Sequence, residues 1–471
     1  MTRLIHVILM VLLATVADAA PAIQPEARHP IALVAELIEN ASDGETVTIP
    51  DGIYEGNLVI RKPIVIDGTT GTVVFDGLGD GTVIEILAPG TTLRGCTIRN
   101  SGQDVTGEPA AIRVIAAEVT IEDNTIEDAL FGIDLRESPD AIIRGNTIQG
   151  KDLDAGRRGD GIRLWWSHGC VVEDNTVTTS RDMVFWYSED LRITRNTVND
   201  SRYGLHFMYS HGSVLAENDL HGNSVGVYLM YSDGITLRDN RMRDNRGASG
   251  YGIGLKDCDN ITITNNALLA NRVGLYIDNS PSSMDSTGLL NLNMIAFNEV
   301  GLLATPNTHD NVFTRNAFIE NEEPAATHGR GRLTLNTFAQ DGVGNYWSEY
   351  AGFDLDADGI GDVQFEPQSL FGAMLANEPN LRLFIHSPAQ QAVEFTARAL
   401  PELRPESTLV DPAPLASPPK IDLAISPQNG SGLRMGLLSA VLLLFAGGWA
   451  AMLGRVQGLP ESQVEVAHDQ S

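Results

Sequence analysis

The chain has 471 residues and a formal net charge of −29, with 20% charged and 43% hydrophobic residues, proportions typical of a globular protein. Such an acidic surface argues against nucleic-acid binding, which needs clustered Lys and Arg, and favours the attraction of cations. Abundant glycine and few aromatic residues favour many short strands joined by tight turns.

Residues 1–19 have the pattern of a secretory signal peptide. Arg3 precedes an apolar run over residues 4–16, and Ala17-Asp18-Ala19 supplies a small-residue cleavage site. A membrane anchor is the alternative interpretation, but the run is short for a bilayer span. We therefore predict export and a mature chain that begins near Ala20.

The residues after the signal predict a capped stack of strands. An amphipathic helix is expected over residues 30–40, where it would cover an open terminal coil. Strand-like runs follow at residues 46–49, 58–60, 64–66 and 73–75.

An Asn-x-apolar triplet then recurs with a period of about 22 residues. Units this short cannot bury a face alone, so we expect coils stacked about 4.8 Å apart, with Asn side chains hydrogen-bonded in a ladder. Cys96 takes the Asn position one coil earlier, because Gly-Cys-Thr-Ile and Gly-Asn-Thr-Ile share a frame. The triplets begin at Asn124, Asn146, Asn175, Asn196, Asn218, Asn240, Asn266, Asn293, Asn316 and Asn336.

The repeats predict an all-β fold, a right-handed parallel β-helix of about a dozen coils. A leucine-rich repeat would need a regular leucine spacing that the chain lacks, and propeller blades would be about twice as long. Cys96, Cys170 and Cys258 are far apart in sequence, and we predict buried thiols rather than a disulfide framework.

Six consecutive coils align without gaps on one strand, beginning at Gly161, Asp182, Gly204, Gly226, Gly252 and Gly274. Strict alternation directs the second and fourth columns, which are apolar throughout, inward, and the third and fifth columns outward. The third column contains Arg163, Val184, His206, Tyr228, Gly254 and Tyr276, and the fifth contains Trp165, Trp186, Met208, Met230, Lys256 and Asp278. Tryptophan and methionine stacked on an outer face indicate a binding site.

Three side chains of this face predict a copper site. Residues on adjacent coils lie about 5 Å apart, so the thioethers of Met208 and Met230 can converge on one ion. His206 precedes Met208 by two residues and points to the same side. Thioether and imidazole form a soft ligand set that suits Cu(I) and is poor for Mg²⁺ or Ca²⁺. The alternative interpretation is a docking patch without metal.

Other residues of the face extend this prediction. His168 and His211 share the eighth column, where each strand exits into a turn, and are either further copper ligands or ordinary turn histidines. Trp165, Trp186 and Tyr228 are predicted to form an aromatic docking surface.

A carboxylate-rich segment follows the last coil and predicts a calcium loop, with Asp354, Asp356, Asp358 and Asp362 as candidate ligands. Oxygens at positions one, three and five of such a loop converge on the ion. The glutamate expected at position twelve is replaced by Phe365, so a solvated acidic turn is the alternative.

The predicted domain organisation follows from these features. A β-helix domain spans residues 20–400 and includes the N-terminal cap and the Asp-rich loop. Residues 401–434 are rich in proline and form a strap or linker. The uncharged run 435–453 is long enough for one transmembrane helix, which would leave residues 454–471 as a short cytoplasmic tail.

Several strings of the chain together resemble the NosD family, which serves nitrous oxide reductase maturation. The resemblance covers roughly residues 31–415 and lies in the order of the strings rather than in any one of them. They are GDGIRLWWSH, RDMVFWYS, RYGLHFMYSH, SVGVYLMYS, SGYGIGLKD, GNYWSEYAGFDLDADGIGD and LVDPAPL.

This resemblance implies a periplasmic copper-binding β-helix that works with the ATPase and permease subunits of an ABC transporter. It also implies that the protein receives Cu(I) transiently from a copper chaperone lipoprotein and passes it to apo nitrous oxide reductase. The run 435–453 departs from the pattern of a soluble periplasmic subunit, and it predicts anchoring to the inner membrane.

A carbohydrate-active lyase, epimerase or hydrolase is the main alternative, because parallel β-helices often host such enzymes. That chemistry needs converging carboxylates, whereas this outer face offers mainly tryptophan and methionine. Trp165 and Trp186 could instead stack on sugar rings of a bound glycan, and a surface adhesin is the third class. We expect a binding protein rather than an enzyme.

Overall fold

The computed structural model describes residues 27–329, 331–385, 387–400, 402 and 405–421. The predicted signal peptide, transmembrane run and tail lie outside these residues, together with part of the predicted strap. In the described part of the chain, no helix has the length and hydropathy that a membrane span requires.

The described chain forms a right-handed parallel β-helix of three long sheets, as the repeats predict. Each coil passes from sheet A to sheet C, then to sheet B, and returns to sheet A one coil further on. Sheet A has 14 strands and sheets B and C have 12 each. Neighbouring coils pair in parallel and in register through most of the stack.

The strands of sheet A are Arg28–Pro30, Gly52–Glu55, Val73–Asp76, Thr97–Arg99, Thr125–Ala129, Thr147–Gly150, Thr176–Thr178, Thr197–Asn199, Asp219–His221, Arg241–Arg243, Ala267–Leu269, Met294–Ala296, Ala317–Ile319 and Tyr346–Trp347. Those of sheet B are Thr46–Thr48, Val65–Asp67, Thr92–Arg94, Thr120–Glu122, Ile142–Arg144, Val171–Glu173, Arg192–Thr194, Val214–Ala216, Thr236–Arg238, Thr262–Thr264, Gly288–Asn291 and Asn311–Thr314. Those of sheet C are Leu58–Ile60, Ile84–Ile86, Ala110–Val114, Phe131–Arg136, Ile162–Trp165, Asp182–Trp186, Tyr203–Met208, Val225–Met230, Tyr251–Lys256, Val273–Asp278, Val300–Ala304 and Glu323–Thr327.

One continuous hydrophobic core runs along the inside of the coils. The inward columns predicted for sheet C are fully buried, including Met183, and the rings of Phe185 and Phe207 stack with centroids 4.6 Å apart. The cysteines lie in the same core as free thiols, which confirms the prediction that they pack rather than form disulfides.

The predicted asparagine ladder forms at the turn from sheet B to sheet A. The backbone N–H of Asn196 donates to Oδ1 of Asn218 at 2.9 Å, and Nδ2 of Asn218 donates to Oδ1 of Asn240 at 2.8 Å. Cys96 holds the first position of the ladder, as predicted, because its N–H donates to Oδ1 of Asn124 at 3.0 Å. The ladder therefore supplies partners for polar groups that the turns bury.

The last predicted ladder position, Asn336, is wrong. Asn316 donates instead to Oδ1 of Asn345, at 3.1 Å, whereas Asn336 pairs with Asn311 at a different corner of the coil. The Asn-x-apolar triplet occurs at both Asn336 and Asn345, and the structure places the second one in the ladder. The ladder ends at the buried carboxylate of Asp411, which accepts from the N–H of Asn345 at 2.8 Å.

Two further ladders have no counterpart in the sequence prediction. One lies at the turn from sheet A to sheet C and consists of Asn223, Asn245, Asn271, Asn298 and Asn321. The other lies at the turn from sheet C to sheet B and consists of Ser138, Ser167, Ser188, Ser210 and Ser232. All three corners of the coil are thus fixed by side-chain hydrogen bonds.

A helix covers the first coils, and irregular segments close the core at the other end. The N-terminal helix, Ala32–Asn40, begins two residues later than predicted and buries Val34 and Ile38 against the first coils. At the other end, the sequence did not predict the helices Leu370–Asn377 and Pro388–Ala399. Short 3₁₀ helices occur at Ala155–Arg157 and Pro379–Phe384.

The described part of the predicted strap, residues 405–421, lies against this C-terminal end. Asp411 forms a β-bridge with Phe365, and Leu415 forms one with Ile360. Nε1 of Trp347 donates to the Asp411 carboxylate at 2.9 Å. The strap therefore closes the core where the coils end.

Candidate metal centre

The outer face of sheet C has the register that alternation predicts. Trp186 pairs with Met208 and Met208 pairs with Met230, so the two methionines stand on adjacent coils. His206 pairs with Tyr228 in the neighbouring outward column. Both methionines are partly exposed. The structure thus brings together the three predicted copper ligands on one patch of two coils.

The third outward column is far less exposed than a solvated face. Val184 is 0% exposed, His206 is 4% exposed and Arg163 is 6% exposed. Neighbouring side chains of sheet C contact His206 and Arg163, so part of the outward face is a packed layer. A group that binds here is therefore shielded from water on most sides.

The imidazole of His206 is fixed through one nitrogen and free at the other. Nδ1 lies 3.2 Å from Oδ2 of Asp182, and a carboxylate acceptor requires the proton on Nδ1. Nε2 is buried and has no hydrogen-bond partner among the described residues. A histidine that donates Nδ1–H to a carboxylate and leaves Nε2 open has the arrangement of a typical metal ligand.

Asp182 reaches His206 because of a local irregularity in sheet C. The first column is otherwise glycine, and a Cβ at Gly204 would lie 2.5 Å from the carbonyl oxygen of Gly226, too close for any side chain. At Asp182 the register shifts, so that this residue pairs with Tyr203 rather than with Gly204. Such bulges re-aim side chains, and here the carboxylate turns to the outer face.

A ring of aromatic side chains surrounds His206. Tyr203 lies perpendicular to the imidazole with centroids 4.9 Å apart, and Trp186 and Tyr228 each lie 6.4 Å away. Nε1 of Trp186 is also buried without a hydrogen-bond partner among the described residues. Burial raises the pKa of Tyr228, so its hydroxyl stays neutral. Apart from Asp182, the side chains around the imidazole are therefore largely aromatic.

Two buried aspartates differ in what they contact. Burial alone would raise the pKa of Asp182, but hydrogen bonds from His206 and Arg202 outweigh it and hold that pKa below its ordinary value. Burial raises the pKa of Asp160 to about 6, although Arg181 donates to its oxygens at 2.9 and 3.0 Å. Of these two carboxylates, only that of Asp182 is hydrogen-bonded to the candidate ligand His206.

Charged residues on the preceding coils are tied to one another. Arg163 donates to Asp134 at 2.8 Å and to Glu108 at 3.0 Å, and Arg136 donates to both carboxylates. Asp134 is completely buried. The methionines therefore lie between two charged groups of residues. The first is this network, and the second is Lys256 and Asp278, which continue the methionine column on the next coils.

The additional candidate ligands His168 and His211 are held differently from His206. Nδ1 of His168 accepts the N–H of Glu189 at 3.1 Å, and Nδ1 of His211 accepts the N–H of Asp233 at 3.1 Å. This acceptor role places the proton of a neutral ring on Nε2. In this tautomer neither ring has a free lone pair for a metal.

An aromatic column that the sequence prediction did not assign forms the rim of the site. The rings are stacked at centroid distances of 5.0, 5.2 and 4.8 Å, and the residues are Trp166, Tyr187, Tyr209 and Tyr231. All four have φ between 50° and 52°, a region that bulky residues rarely adopt. Asp257 and Asn279, which tolerate this region better, hold the same position in the next coils. Together with the predicted docking residue Trp165, which is 38% exposed, the column borders the methionines.

The Asp-rich loop partly fits its prediction. Carboxylate oxygens of Asp354, Asp356 and Asp358 lie within 4.8 Å of one another. Asp362 is outside this group, because its Oδ2 accepts the N–H of Leu355 at 2.6 Å. Three of the four predicted calcium ligands are thus close together.

Comparisons with known proteins point to one family. Residues 145–352 match the family model described as "Periplasmic copper-binding protein (NosD)", and residues 82–206 match "Right handed beta helix region". A protein of Pseudomonas aeruginosa named "Probable ABC transporter binding protein NosD" is 32% identical over 367 residues, which are 75% of this chain and 84% of that protein. A protein of the same name from Stutzerimonas stutzeri is 30% identical over 382 residues, 77% of this chain and 85% of that protein.

Solved structures with similar architecture include the A-module of mannuronan C-5 epimerase AlgE6 from Azotobacter vinelandii. It is 15% identical, with a TM-score of 0.41, and the match covers 66% of this chain and 98% of that module.

Proposed function

The chain belongs to the NosD family, and from that premise we propose that it is a periplasmic accessory protein for nitrous oxide reductase maturation that carries Cu(I). The cargo would bind on the outer face of sheet C, to His206, Met208 and Met230. The protein would release it to a partner rather than use it in a reaction.

One observation carries the proposal: His206 is anchored through Nδ1 by Asp182 while its buried Nε2 has no partner among the described residues. A buried polar atom without a partner costs about 1–3 kcal/mol. Cu(I) coordination through Nε2 would remove this cost.

The methionines make the ligand set soft and electrically neutral. Met208 and Met230 are register partners on strands about 4.8 Å apart, so both sulfur atoms can reach an ion held by His206. Thioethers prefer Cu(I) over hard cations such as Mg²⁺. Because no thiolate takes part, the ion keeps its positive charge and remains available for transfer to a site with anionic ligands.

The proposed partners follow from the family. The relatives are named as ABC transporter binding proteins, which supports a complex of this chain with an ATPase and a permease. A copper chaperone lipoprotein would load the site, and apo nitrous oxide reductase would receive the ion. We propose the rim column together with Trp165 as the surface on which these partners dock.

Charge pairing on the same face supports a binding role over carbohydrate chemistry. The carboxylates of Asp134 and Asp160 are buried and engaged by Arg163 and Arg181. A glycosidase or lyase needs acidic and basic groups that reach a substrate. The carboxylates of Asp134 and Asp160 are instead held within the fold.

We also propose a structural calcium ion at Asp354, Asp356 and Asp358, whose oxygens are already close together. An ion there would offset their mutual repulsion and rigidify the loop beside the end of the core. This site would be independent of the copper site.

The copper proposal is tested with the full-length protein in a Cu(I) competition assay against a chelator. We expect one Cu(I) per chain in the parent protein. The Met208→Ala/Met230→Ala double variant should bind at least about 100-fold more weakly, because two of three ligands are removed. Met284→Ala is the matched control, since Met284 is 91% exposed and distant in sequence from the site.

Equal affinity of the double variant and the parent would contradict the assignment of these ligands. Absence of Cu(I) binding by the parent would contradict a copper site built from this chain alone. Circular dichroism of each variant would show that the β-helix is intact.

A further inference from the structure

Trp186 occupies the side of the proposed copper site that the three ligands leave open. It stands in register with Met208, and its ring is 6.4 Å from that of His206. Neither contact follows from a role as an exposed docking residue. The relative orientation of the Trp186 and His206 rings indicates a role for the indole inside the site.

The strand geometry directs Nε2 of His206 towards the indole. Asp182 and Trp186 are the first and last residues of one strand, and His206 lies on the next coil between their levels. The two nitrogens of an imidazole point in nearly opposite directions. Because Nδ1 is held by Asp182, Nε2 lies on the other side of the ring, and Trp186 is at the opposite end of the strand from Asp182. The rings are perpendicular, at 83°, an arrangement in which the edge of one faces the plane of the other.

Trp186 is turned into the site, unlike its neighbours. Trp165 and Trp166 on the preceding coil are 38% and 47% exposed, whereas Trp186 is less exposed and its Nε1 is fully covered. An indole with a buried N–H that has no partner among the described residues is an unfavourable docking surface. Its π face, in contrast, attracts a cation that is desolvated at close range.

We infer that Trp186 contacts Cu(I) directly, with its indole face over the ion that His206, Met208 and Met230 hold. The inference rests on the proposed copper site and adds a residue that determines its specificity. A π face has no lone pair to donate, so it blocks water or a fourth ligand while stabilising the positive charge. Cu(II) prefers a tetragonal set of nitrogen and oxygen ligands. The indole therefore selects the univalent ion.

The experiment compares Trp186→Leu and Trp186→Phe with the control Phe297→Leu in the full-length protein. Phe297 is an aromatic residue that is 60% exposed and follows the sheet A strand Met294–Ala296, so it is not part of the outer face of sheet C. Cu(I) affinity is measured by chelator competition, and tryptophan absorption and emission are recorded during titration with Cu(I) and with redox-inert Ag(I).

Trp186→Leu should weaken Cu(I) binding by roughly 30-fold, equivalent to about 2 kcal/mol, and Trp186→Phe by less, because phenyl is a weaker cation–π partner. The parent and Phe297→Leu should show quenched emission and shifted indole absorption on titration. Both Trp186 variants should lose this spectral change while still binding the metal.

Two results would overturn the inference in distinguishable ways. If Trp186→Leu binds Cu(I) as tightly as the parent and the spectral change persists, Trp186 does not contact the ion, although the site itself stands. If the parent binds no Cu(I), the proposed function fails and the inference fails with it. Trp186→Phe keeps an aromatic ring in the packed layer and guards against misfolding of the leucine variant.

Discussion

Replacing Asp182 by asparagine tests whether the carboxylate prepares His206 for a metal. The change keeps the size of the side chain but removes its charge and one acceptor oxygen. Arg202 donates to the same carboxylate from two nitrogens, so a single amide oxygen would be contested. If that oxygen pairs with Arg202, the amide NH₂ faces Nδ1 of His206. The proton of the neutral imidazole then moves to Nε2 and blocks the proposed ligand atom.

The expected magnitude follows from the role of Asp182 as the partner of a ligand. Loss of such a partner typically lowers metal affinity by about 10–100-fold, equivalent to about 1.4–2.7 kcal/mol. The upper end is expected here, because Asp182 is 1% exposed and water cannot replace it as the acceptor from Nδ1. Removal of the ion pair with Arg202 also lowers the free energy of unfolding, so stability must be measured alongside affinity.

Asp160→Asn is the matched control. Asp160 is equally buried and is paired with Arg181, but it makes no hydrogen bond to His206. Only Asp182→Asn should lose Cu(I) affinity in the competition assay. Equal losses of affinity in the two variants would show that the effect is a general loosening of the face. Unchanged affinity in Asp182→Asn would refute the role assigned to this carboxylate.

Three further outcomes are expected. Asn218→Ala removes one ladder position and leaves a buried N–H and a buried carbonyl unpaired. It should lower the free energy of unfolding, measured with urea, by about 2–6 kcal/mol, and a decrease under about 1 kcal/mol would contradict the importance of the ladder. Hydrogen bonds from Thr69 and Arg94 hold the pKa of Asp67 at about 2. The free energy of unfolding of the parent should therefore exceed that of Asp67→Asn above about pH 4, and the difference should disappear as the pH falls towards 2. A difference that persists at pH 2 would contradict this. Calcium added to the chelator-treated protein should raise its melting temperature, and Asp356→Asn should abolish the rise; an equal rise in both proteins would exclude this loop as the site.

Period-two alternation was sufficient to predict the outer face of sheet C. A strand that packs one face on a core must alternate, and a gap-free alignment of six coils fixes the register of every column. The observed pairs Trp186–Met208 and Met208–Met230 are therefore the predicted ones. Alternation says nothing about what covers an outward residue, and the burial of His206 and Val184 was not predictable from it.

The sequence contains an indication that Asp182 departs from the regular register of the coils. Five of the six aligned first-column positions are glycine, because a carbonyl of the next coil lies where a Cβ would be, as at Gly226 and Gly252. An aspartate in such a column implies a local change of register, which the structure shows as the shift to Tyr203. The charged partner of Asp182, Arg202, could not be placed, since it lies in a turn whose path depends on packing.

At the C-terminal end, the sequence repeat no longer predicts the structure. Asn345 rather than Asn336 continues the ladder, because the last coil carries an insertion and spacing alone cannot locate it. The helices Leu370–Asn377 and Pro388–Ala399 lack the repeat and were not predicted. The buried Asp411 that terminates the ladder comes from a proline-rich segment 66 residues further along the chain, a contact that no local pattern encodes.

The exposure of the three proposed ligands argues for an order of release. His206 is 4% exposed and is held by Asp182, whereas Met208 and Met230 are partly exposed and carry flexible side chains. A partner that docks on the rim column meets the sulfur atoms before it can reach the imidazole. Under the proposed function, the partner's own ligands would replace the two thioethers one at a time while His206 still held the ion. Release of the imidazole last would keep Cu(I) coordinated throughout the transfer.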